Sequence, residues 1–150
     1  MKKGIVIALL LLISCIIPAV SADKDGQYSY IEVQNISLEL TKDKAVYDIN
    51  YSIDDGIQFL VVLLGKSDLK SKIISLMNFE SCRFDVLDMD HARIVVDKPS
   101  IDNGDGSLWY PRKEIRAVVP EIVVKTPRAT RSLQNTREIP GMGYFAEKNT

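Results

Sequence analysis

The sequence predicts a mainly β, α+β chain: an antiparallel β-sandwich-like domain with a short helical insertion around 56–78. Three observations predict it. Residues 45–53 alternate, with Ala45, Tyr47, Ile49, Tyr51 and Ile53 apolar and Asp48, Asn50 and Ser52 between them, the period of two that marks a strand with one buried face. Only the stretch that follows shows helical spacing, in Leu69, Ile73, Leu76 and Met77. The second half is punctuated by Pro111, Pro120, Pro127 and Pro140, and proline, which cannot donate to a ladder, confines strands to edges and bends.

The chain opens with an address. Lys2 and Lys3 precede an uncharged apolar run at 4–17, and Pro18 breaks it ahead of the small residues of AVSA at 19–22. This is the layout of a secretory signal, and the run is shorter than the roughly 20 residues that span a bilayer. Cleavage is expected after Ala22, leaving a signal peptide at 1–22 and a single exported β-rich domain at 23–150. Two alternatives stay open. One is an uncleaved N-terminal anchor. The other is a lipoprotein, since LISC at 12–15 fits a lipid-attachment box ending in Cys15, although processing there leaves the apolar residues 16–20 as the mature N-terminus.

After the signal, Ile31 and Val33 fall in one phase and Ile36, Leu38 and Leu40 in the other, so the strand at 28–40 requires a bulge near Gln34 and Asn35. Residues 41–44 close a hairpin onto the alternating strand. Gly56 and Gly65 bound IQFLVVLL, an apolar run without a period, for which helix is favoured slightly over a buried strand. Next, Ser67 is placed to cap a helix and Asp68 to face its positive end, with Lys66, Lys70 and Lys72 toward water. Strands return at 82–87, 93–96, 115–119 and 122–124. Cys82, the only cysteine beyond the signal, alternates with Phe84 and Val86 and reads as a small core residue, so no internal disulfide is expected.

The charge is uneven. Residues 23–107 hold sixteen acids and nine bases, and residues 108–150 four acids and eight bases. Overall the formal charge is −1, which is no nucleic-acid footprint. Lys125, Arg128, Arg131 and Arg137 fall in or beside a long acid-free stretch. They are either solvated cations balancing the acidic part or a binding face for an anionic envelope polymer or another surface protein.

Two stretches invite a metal. SIDNGDGSLWYP at 100–111 carries acids and glycines, but setting Asn103, Asp105 and Gly106 on positions 3, 5 and 6 of a calcium loop puts Ile101 at 1 and Arg112 at 12, where oxygen ligands belong. A tight hairpin loop is the better reading. DVLDMDHA offers Asp85, Asp88 and His91, more simply a polar turn than a carboxylate–histidine site. Neither a metal nor any other cofactor is expected. Asn35 and Asn50 stand in N-x-S glycosylation patterns. For catalysis the sequence lacks a serine elbow, HExxH, CxxC and a phosphate loop, and a pair such as Asp54 and Asp55 becomes informative only in three dimensions.

The run LLGKSDLKSKIISLMNF, then DMDHARIVV and, near the end, IPGMGYF, resembles a group of uncharacterised exported proteins of methane-producing archaea. The resemblance implies an exported single-domain protein and assigns no activity. The functional expectation is therefore an exported, secreted or surface-retained module that acts by binding or in envelope structure without catalysis. The alternative is an extracytoplasmic enzyme or metal-dependent hydrolase built around Asp85, Asp88 and His91.

Overall fold

The computed structural model describes residues 30–146; the signal, its alternative site at Cys15 and residues 147–150 lie outside them. β1 (Ile31–Leu40) and β2 (Lys44–Ile53) form a hairpin, closed where Thr41 Oγ1 donates to the Lys44 carbonyl at 3.0 Å. Their register shifts between Val33 and Asn35. A strand's side chains alternate, so only an extra residue there lets both Val33 and Ile36 face the core.

α1 (Asp55–Leu64) and α2 (Ser67–Leu76) follow, so the apolar run at 57–64 is helix and the insertion is two helices separated at Gly65 and Lys66. The Asp54 carboxylate caps α1 by accepting from the Gly56 amide at 3.0 Å. At α2 the expected cap is displaced by one residue: Lys66 occupies the cap position without a side-chain capping bond, and Ser67 is already helical. Asp68 lies in the first turn of α2, at the positive helix end as expected, and also accepts a hydrogen bond from the Tyr30 hydroxyl at 2.5 Å.

The remaining elements are β3 (Arg83–Leu87), β4 (His91–Asp97), β5 (Ile101–Asp102), β6 (Ser107–Tyr110), β7 (Lys113–Lys125), β8 (Thr130–Ile139) and β9 (Met142–Phe145). Six strands make one sheet in the order β3-β4-β2-β1-β7-β8, and β5-β6-β9 make a smaller one. The domain is mainly β, as the alternation and prolines predict. One pairing departs from the antiparallel expectation: β1 and β7 run parallel, from Asn35 opposite Glu121 to Glu39 opposite Lys125. The chain leaves the large sheet after β4, builds β5 and β6 elsewhere and re-enters beside β1. A connection of that length is free of the direction that a hairpin imposes.

Pro120 bends β7 rather than ending it. Ile115 and Val119 are buried on one phase and Ile122 and Val124 on the other, while Pro120 and Glu121 both face out. The β7–β8 register breaks between Glu114 and Val119, and Asn135 on β8 takes a left-handed φ of 48°, so the edge pair is irregular on both strands.

The core lies on one face of the large sheet. Leu38, Tyr47, Ile49, Ile94 and Ile122 point into it. It is covered toward one end by Leu69, Ile73 and Leu76 of α2, and toward the other by Leu108, Tyr110 and Tyr144 of the small sheet. Tyr47 joins the layers: its ring meets Phe79 edge-on at 5.0 Å and its hydroxyl lies 2.5 Å from that of Tyr110. The opposite face, with Ser37, Asp48, Asn50 and Val123, is only half-buried.

Candidate functional site

α1 is apolar on both sides, which is why its sequence shows no period. Val61 is buried and Ile57 half-buried, four residues apart on the inner face, and Gln58 Nε2 ties the helix to the Ile53 carbonyl at 3.0 Å. Phe59, Val62 and Leu63, spaced i, i+3, i+4 on the outer face, are 68%, 73% and 66% exposed, and Leu60 and Leu64 flank them at 44% and 78%. Isolated exposed apolar residues are ordinary, but a contiguous group on one helix marks a contact surface. A helix that is apolar all round is normally covered on all sides. The sequence signal was present in the missing period, but it does not tell which face the protein itself covers.

A hollow of about 720 Å³ opens between the 78–83 connection, the end of β4 and the start of β7. Lys113 Nζ sits 4.3 Å from the Phe79 ring centre and donates to the Asn78 carbonyl at 3.3 Å, and burial lowers its pKa. Half-buried Cys82 lines the same hollow. Burial pushes its thiol up, against the opposing pull of Lys70 and Lys113, so it stays a protonated, poorly nucleophilic thiol near neutrality. Arg83 and Arg112 share the rim with Glu80, Asp97 and Glu114, so the hollow has no single sign of charge. Its residues lie too far apart in sequence for any motif to announce them.

The residues singled out from the sequence are dispersed. Asp85 pairs with Arg83 at 3.0 Å, Asp88 with Lys66 at 2.9 Å, and His91 with Asp48 at 3.2 Å. Asp48 also takes Arg93 through two contacts, at 2.7 and 3.2 Å. Partial burial alone would raise the Asp48 pKa, but bonding to Arg93 and His91 outweighs it and holds the carboxyl below its usual range. The DMDH turn is held by Tyr51, whose hydroxyl donates to the Asp88 carbonyl at 2.5 Å. No three of the described His, Cys, Asp and Glu side chains gather where they could hold a metal ion.

Lys125 stands opposite Glu39. Arg131 stands opposite buried Val124 and so on the other face of the sheet. Arg128 lies in the β7–β8 turn with its guanidinium 5.2 Å from the Phe145 ring centre. Arg137, nine residues further on and hence roughly 30 Å along an extended strand, lines a separate hollow with Arg112, Glu114 and Glu138. These four cations therefore do not share one face. Asn35 and Asn50 are brought together: Asn50 Nδ2 donates to Asn35 Oδ1 at 2.8 Å on the half-buried face of the central strands, a bond that a glycan on Asn50 would have to displace.

Residues 103–106 are the loop of a hairpin between β5 and β6, with Gly104 and Gly106 at φ 84° and 85°, a backbone region that glycine enters without strain. Asp102 Oδ1 accepts from the Gly104 amide at 2.8 Å, and Asp105 Oδ1 from the Ser107 amide and hydroxyl at 2.9 and 2.5 Å. The carboxylates thus shape the turn. Adding a chelator is expected to leave the melting temperature unchanged. A structural ion bound only by the native state would raise stability, so a lower melting temperature in chelator would show that the loop holds one.

No protein-family model, curated protein or solved structure matches this chain.

Proposed function

We propose that this protein is exported and works in the cell envelope as a non-catalytic binding module, retained at the surface or released from it. The observation that carries the reading is the outer face of α1, where five large apolar side chains stand in solvent on a helix that the fold needs only for Val61 and Ile57. Such a face has no stabilising role in the isolated domain and gains free energy only by being covered. The signal layout of residues 1–22 and the lone cysteine of the exported part agree with a fold that rests on its core alone. A hydrolytic site at Asp85, Asp88 and His91 gains nothing from the geometry, since each is committed to a different partner.

Cell fractionation with mass spectrometry tests this reading. The protein is expected in the envelope or the medium, with a mature mass that begins at Asp23. A diacylglycerol on Cys15 would move the processing site and keep the location. Full-length protein in the cytoplasm would refute export.

A further inference from the structure

We propose that the outward face of the small sheet is a platform for an acidic glycan, on which Trp109 and Phe145 stack against sugar rings and Arg128 pairs with a carboxylate of the same chain of sugars. This goes beyond the binding-module reading, stands on residues apart from α1 and holds or falls without it.

The strand register builds the platform. Leu108, Tyr110 and Tyr144 turn into the core, so alternation sends their neighbours outward. Trp109 stands opposite Ile101 of β5 on one side and Gly143 of β9 on the other, and Phe145 stands opposite Ser107. Ile101, Trp109 and Phe145 are all exposed, and the two aromatic residues are diagonal neighbours, roughly 7–8 Å apart. Glycines decide how the indole lies. A methyl group built on Gly141 would stand 2.9 Å from Cζ2 of Trp109, and one on Gly143 3.8 Å from Cε3. These atoms are on opposite sides of the six-membered ring, so the ring lies flat along β9, in space that a side chain at 141 would fill. One ring face is turned to the strand and the other to solvent, with Trp109 45% exposed.

The chemistry of this face selects its ligand. An aromatic ring is negative over its face and attracts the polarised C–H bonds on the flatter side of a pyranose. A ring held flat with one side open offers that contact whole, whereas insertion between acyl chains needs a side chain that projects. The charge beside it is positive. Arg128 holds its guanidinium 5.2 Å from the centre of the Phe145 ring and makes no ion pair among the described residues, so its fork is open to a carboxylate. The acids of the adjoining loop are turned to its own amides, Asp102 to Gly104 and Asp105 to Ser107. A nucleic acid also stacks on aromatic rings, but proteins that bind it so lay its backbone along a positively charged groove, and this chain has a formal charge of −1.

Trp109 is the only tryptophan of the chain, so the platform carries its own reporter. The purified protein is titrated with oligomers of galacturonic, mannuronic and glucuronic acid, each beside its neutral hexose counterpart. Trp109 emission is expected to change saturably with at least one acidic oligomer, with an affinity that falls as salt rises. Phe145→Ala should cost about tenfold in affinity, as loss of one stacking ring does on other aromatic platforms. Gly141→Ala, which lifts the indole without removing it, should weaken binding as well. Arg128→Gln should bring the acidic oligomer down to the affinity of its neutral counterpart. Phe145 and Arg128 are exposed, so these two variants should keep the melting temperature of the parent, and the titration of the unaltered chain needs no variant at all. The inference is overturned if no acidic oligomer binds, or if binding leaves Trp109 emission unchanged. Neutral oligomers that bind as tightly, with Arg128→Gln indifferent, overturn the assignment of an acidic ligand. Emission that shifts with protein concentration in the absence of sugar would place a second copy on this face and overturn it too.

Discussion

Raising the pH above about 10 is expected to unfold this domain cooperatively, with the tyrosinate absorbance step and the loss of far-UV circular dichroism occurring together. Tyr47, Tyr51 and Tyr110 are only 1–2% exposed. Burial pushes the Tyr47 hydroxyl up, helped by the neighbouring Tyr110. Burial does the same for Tyr51, reinforced by Asp90 and Asp88. Tyr110 is pushed up to about 12 by burial, against the opposing hydrogen bond from Tyr47. In the unfolded chain these groups titrate near about 10. Below that pH both states keep their protons and the contribution is constant. Above it the unfolded chain releases protons that the folded one retains, so stability falls as pH rises toward the folded values. Each retained proton gives a slope of up to about 1.4 kcal/mol per pH unit, hence about 4 for three. A domain of this size has roughly 5–15 kcal/mol in total, which such a slope removes within about one to four units. Tyr51→Phe should make the decline shallower by about a third. Three tyrosinates forming while the circular dichroism stays native would refute the account.

The parts of the fold that were legible from sequence are those where one local rule acts without competition. β2 is flanked by hydrogen-bonded strands on both sides, with one face on the core, so its alternation is clean from Ala45 to Ile53. The bulge in β1 was readable because Val33 and Ile36 must both be buried. β8 is not legible as a strand because it lies at the sheet edge, where of Thr130–Ile139 only Ile139 is buried and Leu133 is the one half-buried apolar residue; an edge has little core to imprint a period. Pro120 suggested a break, yet the β1 pairing of 121–125 carries the strand on beyond the bend. The small sheet escaped because β5 has two residues, too few for any pattern. For the site the limit is different. Composition exposed an apolar run at 57–64, but exposure is a property of what the rest of the chain leaves uncovered, and that becomes visible only in three dimensions. The cations at 125–137 illustrate the converse, since proximity in sequence did not put them on one face.

Leu38→Ala is expected to be among the most damaging single substitutions in the domain, lowering stability by about 2–5 kcal/mol. Leu38 is fully buried on β1, opposite Tyr47 of β2 on one side and Val124 of β7 on the other. Both neighbours are fixed by backbone ladders, so the sheet cannot close around the lost methyl groups, and the cavity contribution should fall toward the upper part of that range. Cys82, the only cysteine among the described residues, is free, so no disulfide there limits the unfolded chain and compensates. Such a loss is a large fraction of the roughly 5–15 kcal/mol available and should lower the melting temperature by on the order of 10–20 °C. Val123→Thr provides the contrast. Val123 lies between Ser37 and Ser132 on the other face of the same sheet, half-buried and in polar company, where a hydroxyl finds partners and the change should stay within about 0.5 kcal/mol. Urea midpoints at unchanged m-value measure both. If the two variants lose comparable stability, the sheet is buried on both faces and the one-sided core described here is wrong. If only Leu38→Ala falls, the half-buried polar face contributes little to stability.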